Sequence, residues 1–88
     1  MRMTAKNVIR FAVPDGAAEA EVEIRLQPDR FGGWQTCLLL RPADGSPPLP
    51  LPRTFRARDH GLAAAKGVGW VRRRFEGARP LASLRRSP

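Results

Sequence analysis

Apolar and polar positions alternate in three stretches of the first half of the chain, and each predicts a strand. Over residues 8–13, Ile9, Phe11 and Val13 share one face. Pro14-Asp15-Gly16 then supplies turn chemistry. Residues 20–26 alternate most regularly: Val22, Ile24 and Leu26 oppose Glu21, Glu23 and Arg25, which predicts one buried and one wet face. Gln27 to Gly33 is a connection in which Gly32-Gly33 supplies backbone freedom. In Trp34 to Arg41, Trp34, Thr36, Leu38 and Leu40 oppose Gln35, Cys37 and Leu39, so neither face is fully polar.

The period then changes. Residues 42–52 contain five prolines and Gly45, which predicts a loop, because proline has no amide hydrogen to donate to a sheet. Leu51 to Ala57 fits an edge strand at most, with Leu51, Arg53, Phe55 and Ala57 on one side. Residues 59–76 read as the one substantial helix, capped by Asp59 and closed by Gly77, with Pro80 beyond. Its apolar stripe is Ala64, Val68, Val71 and Phe75, with Ala63, Gly67 and Trp70 beside it. Gly67 and Gly69 each cost a helix about 1 kcal/mol relative to Ala, which suggests close approach of another backbone, that of the sheet, with a kink equally allowed. Residues 78–88 are polar and Arg-rich and read as a basic tail. The expected architecture is α+β: a single domain over 1–77, with a three- or four-stranded antiparallel sheet crossed by one C-terminal helix.

Charge changes the picture. Residues 1–44 balance six basic against six acidic side chains, whereas residues 45–88 carry ten against two, so the whole net charge of +8 lies in the second half. A field that lopsided is a statement about partners, and a polyanion is the first to test. Fourteen of the sixteen basic residues are Arg. With abundant Ala, Pro and Gly, that is also what a GC-rich genome writes, so the clustering is better evidence than the residue type. No apolar stretch approaches the roughly 20 residues of a membrane span, and one cysteine excludes an intrachain disulfide. The expected setting is cytoplasmic.

Sites of chemistry are sparse. His60 is the only histidine, at the expected helix start, and Cys37 the only cysteine, among apolar neighbours, so no zinc set can be assembled. Glu19, Glu21 and Glu23 share a strand face and read as solvated, facing arginines of a neighbouring strand. Gly67-Val68-Gly69 lacks the third glycine of a dinucleotide fingerprint and lies within a helix. Pro47 to Pro52 reads as a stiff loop. No enzyme activity and no cofactor are expected.

The basic residues carry the remaining expectation. Arg72-Arg73-Arg74 exceeds what a helix C-terminus needs to complement its dipole, and Arg74 is expected nearest the sheet side. With Arg79, Arg85 and Arg86, and a second patch of Arg53, Arg56 and Arg58, these residues are expected to contact DNA or RNA phosphates with little reading of bases. The alternative is a protein-interaction module for an acidic partner (an accessory subunit, an adaptor or a small phage-type inhibitor). It would use an edge strand or the aromatics Phe31, Trp34 and Trp70. An uncovered edge would also make a homodimer easy.

Trp34 opens a strand, Phe55 precedes the cap Asp59, and Leu62-Ala63-Ala64-Ala65 starts the helix. On these features residues 34–75 resemble the small β-β-β-α domains of the AP2 and phage-integrase arm-binding type. The resemblance implies a sheet lying in the DNA major groove with the helix packed behind it. The sheet face of that family carries Arg and Trp, whereas this chain has Glu21 and Glu23.

Overall fold

The computed structural model describes residues 7–81. Strands β1 (Val8–Asp15), β2 (Ala18–Pro28), β3 (Trp34–Arg41) and β4 (Leu49–Ala57) precede helix α1 (His60–Arg74) and a two-residue strand β5 (Arg79–Pro80). The sheet is antiparallel in the order β4-β3-β2-β1-β5. The protein is α+β, with one helix across one face of the sheet.

The alternation read from the sequence sets the register. Ile24 stands opposite Ile9 and Leu38, and Val22 opposite Phe11 and Leu40, so three strands project their apolar residues to one side. Phe11, Val13, Val22, Ile24 and Leu38 are all buried there. Thr36 is also fully buried on that side, and its hydroxyl accepts the Phe55 amide of β4 at 3.1 Å, which satisfies its polarity.

Strand β4 begins at Leu49, inside the proline-rich segment whose composition predicts a loop. It lies at the sheet edge, where missing proline amides are tolerated. The register shifts by two residues between Cys37 and Leu39, and Pro52 falls in that irregularity. The fifth strand arises from the segment expected as a tail. Arg79 and Pro80 pair with Ala12 and Phe11, and the Leu81 amide donates to the Arg10 carbonyl at 2.9 Å.

Helix α1 starts as expected: the Asp59 side chain accepts the Leu62 amide at 2.8 Å. It ends earlier than expected, at Arg74, and Gly77 with φ 86° turns the chain back. Its buried line is Ala63, Gly67 and Val71, with Val68 and Phe75 on the flank of the core. This is rotated from the stripe of larger residues expected from the sequence. Small residues win the centre because they let the helix axis come close to the sheet: a Cβ at Gly67 would lie 3.1 Å from Ile24 Cγ2 and 3.7 Å from Thr36 Cγ2. Gly69 has no such neighbour, meeting only the flexible end of Arg73 at 3.4 Å.

The two glycines therefore separate propensity from packing. Gly69→Ala should raise stability by up to about 1 kcal/mol. Gly67→Ala gains the same propensity but presses on a β-branched side chain locked in a central strand, so it should lower stability. Urea denaturation of both variants checks the opposite signs, and equal gains at both positions would contradict the close-packed seam.

Candidate nucleic-acid interface

The helix-free face of the sheet decides which charges remain available. By the strand register this face carries Arg10 from β1, Glu19, Glu21, Glu23 and Arg25 from β2, Arg41 from β3 and, opposite Gln35, Arg56 from the edge strand β4. Arg10 pairs with Glu21 at 3.1 Å, and Arg79 of β5 holds both oxygens of Glu19 at 2.9 Å. Glu23 takes Arg25 on one oxygen and Arg41 on the other, each at 2.9 Å. The glutamates do face arginines, but Glu23 is only 3% exposed and so departs from the wet face expected of it. Burial pushes its carboxyl pKa up, while the hydrogen bonds and charges of Arg25 and Arg41 outweigh that and hold it below the ordinary glutamate value.

The aspartates are engaged as well, with backbone amides. Asp59 caps the helix, Asp15 accepts the Ala43 amide, and Asp44 accepts the Ser46 amide and hydroxyl. Asp29 Oδ1 accepts the Phe31 amide at 2.7 Å and the Gly33 amide at 3.1 Å. Those two bonds hold its carboxyl pKa below the usual aspartate value, with a smaller contribution from the Arg56 charge.

What is left over is basic. Among the described residues, Arg30, Arg53, Arg56, Arg58, Arg72, Arg73 and Arg74 make no ion pair. Four of them lie over aromatic rings: Arg53 over Phe55 at 5.4 Å, Arg56 over Phe31 at 5.6 Å, Arg72 over Phe11 at 5.6 Å and Arg74 over Phe75 at 5.1 Å. A cation–π contact leaves guanidinium N–H groups able to meet an anion. Arg72, not Arg74, reaches back over the sheet.

The two arginine triplets do not converge. Arg58 immediately precedes the helix cap and Arg72–Arg74 form its last turn, so about 20 Å of helix axis separates them. Phe11, under Arg72, lies in β1, and Arg53 and Arg56 lie in β4, three strand spacings or roughly 14 Å across the sheet. Within the first triplet, Arg53 and Arg56 project to opposite faces of β4, since they are an odd number of residues apart. Arg79 belongs to neither group, being paired with Glu19. Arg85 and Arg86 lie outside the described residues.

The first triplet instead meets a residue not included among the expected nucleic-acid contacts. Arg30, in the β2–β3 hairpin loop, lines an open cleft of about 480 Å³ with Pro28, Asp29, Phe31, Gln35 and Arg56. A second cleft, of about 400 Å³, is bounded by Asp29, Phe31, Gly33, Ala57, Arg56 and Arg58. Only folding places Arg30 here, because in sequence it sits in the charge-balanced half. Gly33 is what lets the loop dock: a Cβ there would strike the Ala57 carbonyl oxygen at 2.6 Å.

The aromatic anchors separate similarly. Trp34 is half-buried, edge-on to His60 with ring centroids 4.8 Å apart. Trp70 packs edge-on to Phe75 against the core. Of the three, Phe31 stands out, 75% exposed. Cys37 is half-buried, with the Gln27 amide 3.8 Å from its sulfur. Among the described residues no helix is long and apolar enough to cross a membrane. Comparison with protein-family models, curated proteins and solved structures finds no match.

The Glu23 clamp gives a pH-dependent expectation. A carboxyl whose folded pKa is lowered stabilises the fold fully above its unfolded value and loses that contribution as pH falls through the folded value. Glu23→Gln should therefore cost about 1–3 kcal/mol at neutral pH, and the gap from wild type should shrink in acid. Urea melts at pH 7 and pH 3 measure it; an undiminished gap at pH 3 would mean that the charge pairing is not its source.

Proposed function

We propose that this protein is a non-enzymatic nucleic-acid-binding protein, and that its unpaired arginines contact DNA or RNA phosphates. The observation that carries the reading is the division of charge. Seven of the eight carboxylates are engaged by arginines or by backbone amides, while seven arginines make no ion pair among the described residues. Uncompensated guanidinium groups attract a polyanion by releasing its condensed counterions. At the centre of the helix-free sheet face the arginines are paired with Glu19, Glu21 and Glu23, and Arg56 at the β4 edge is the one guanidinium of that face without an ion pair among the described residues, which makes the centre a poor electrostatic match to a DNA groove. This reading therefore departs from the sheet-in-groove mode that the AP2-type resemblance implies.

Contact divides between two poles, one at the hairpin corner (Arg30, Arg56 and Arg58) and one at the end of α1 (Arg72, Arg73 and Arg74). Along a B-form duplex, where each strand carries one phosphate per about 3.4 Å of axis, the roughly 20 Å between the helix ends corresponds to about six base pairs. The runner-up is a protein partner with an acidic surface, for which the exposed Phe31 would be the anchor.

Binding of fluorescent duplex and single-stranded oligonucleotides across a salt series tests the reading. Affinity should fall linearly on logarithmic axes. Replacing either trio of arginines by Gln should flatten the slope by about 2–3, close to one unit for each phosphate that is no longer neutralised. A trio whose replacement leaves the slope unchanged is not in the interface, and binding indifferent to salt would remove phosphate recognition altogether.

A further inference from the structure

Resting on that reading, we infer that the hairpin corner binds single-stranded nucleic acid by stacking an unpaired base on Phe31. A phenyl ring 75% exposed at a hairpin tip contributes little to the core, so its position needs another account. The ring is presented by a built loop. Asp29 Oδ1 takes the amides of Phe31 and Gly33, the Asp29 amide donates to the Gly33 carbonyl at 2.9 Å, and Gly32 supplies φ 89°. These bonds fix the loop backbone at Phe31, which lowers the ordering cost when a planar group settles against the exposed ring.

Its surroundings choose the occupant. Asp29, Phe31 and Arg56 border both clefts, with Arg30 in one and Arg58 in the other, and Asp29 Oδ1 is already taken by the amides of Phe31 and Gly33. A chain passing the tip would meet a guanidinium on either side of the ring. That alternation of aromatic platform and cations suits a polymer whose flat bases are joined by phosphates. In a duplex the base faces are already stacked on one another and cannot meet Phe31. An acidic peptide would satisfy the arginines but would leave the ring without a planar group. Arg56, 5.6 Å from the ring centroid, adds a cation–π partner on the platform itself.

The experiment compares wild type, Phe31→Ala and Phe31→Trp by fluorescence anisotropy. The probes are oligo-dT, oligo-U, an abasic strand of equal length and a duplex, with circular dichroism confirming the fold. The site predicts a loss of about tenfold for Phe31→Ala on oligo-dT and oligo-U, with duplex and abasic binding and the salt slope unchanged, and retention by Phe31→Trp. Equal affinity of wild type for the abasic and base-bearing strands would overturn the stacking site, as would a Phe31→Ala variant that binds all four probes like wild type. Either result leaves salt-dependent phosphate binding standing. Wild type that binds none of the probes overturns both readings and points to a protein partner.

Discussion

The seam between Gly67 and Ile24 sets the geometry of this protein. Because Ala63, Gly67 and Val71 form the buried line, α1 lies close on β2 and β3 and its rotation is settled by size exclusion. That rotation leaves Arg73 on the solvent side, sends Arg72 back over Phe11 and places Arg74 over Phe75. The length of the helix then separates Arg58 from the terminal arginines. A larger residue at the seam would lift the helix from the sheet and change all of these relationships together.

On the other face, the protein solves a problem of charge without a covering layer. Three glutamates on one strand face repel one another unless cations intervene. Arg10, Arg25, Arg41 and Arg79 intervene from β1, β2, β3 and β5. The clamp on Glu23 is the innermost case, since both its oxygens are held and little of it reaches water. Arg10, Arg25 and Arg41 thus become internal partners, together with Arg79, while Arg30, Arg53, Arg56, Arg58, Arg72, Arg73 and Arg74 remain outward. The chain's electrostatic asymmetry is therefore an asymmetry of pairing as well as of number.

Much of the fold can be read from local pattern. The period-2 runs at 8–13, 20–26 and 34–41 are strands, Asp59 caps the helix, and the alanine-rich helix start lies where the sequence predicts it. The differences have physical causes. The edge strand expected over Leu51–Ala57 is β4, and it starts two residues earlier, at Leu49, because an edge tolerates the missing amides of Pro50 and Pro52. Arg79-Pro80 is too short and polar to announce a strand, yet it pairs because the Gly77 turn returns the chain to β1. In the helix, periodicity points to Ala64, Val68, Val71 and Phe75 as the buried stripe; Val71 is buried, but closeness to the sheet puts Ala63 and Gly67 beside it in place of the rest.

The candidate site is only half visible in the chain. Clustered arginines and a hairpin bearing Phe31 and two glycines can be seen there, since they depend on composition and turn chemistry. Their association cannot. Arg30 joins Arg56 and Arg58 because β3 carries β4 back beside the β2–β3 loop, and because Gly33 allows that loop to lie against Ala57. Alternation, capping and total charge are properties of neighbours along the chain, so the sequence by itself determined them. Which cations face carboxylates, which face solvent and which share a cleft with an aromatic ring depends on contacts between residues far apart in sequence, and only the tertiary structure decided those.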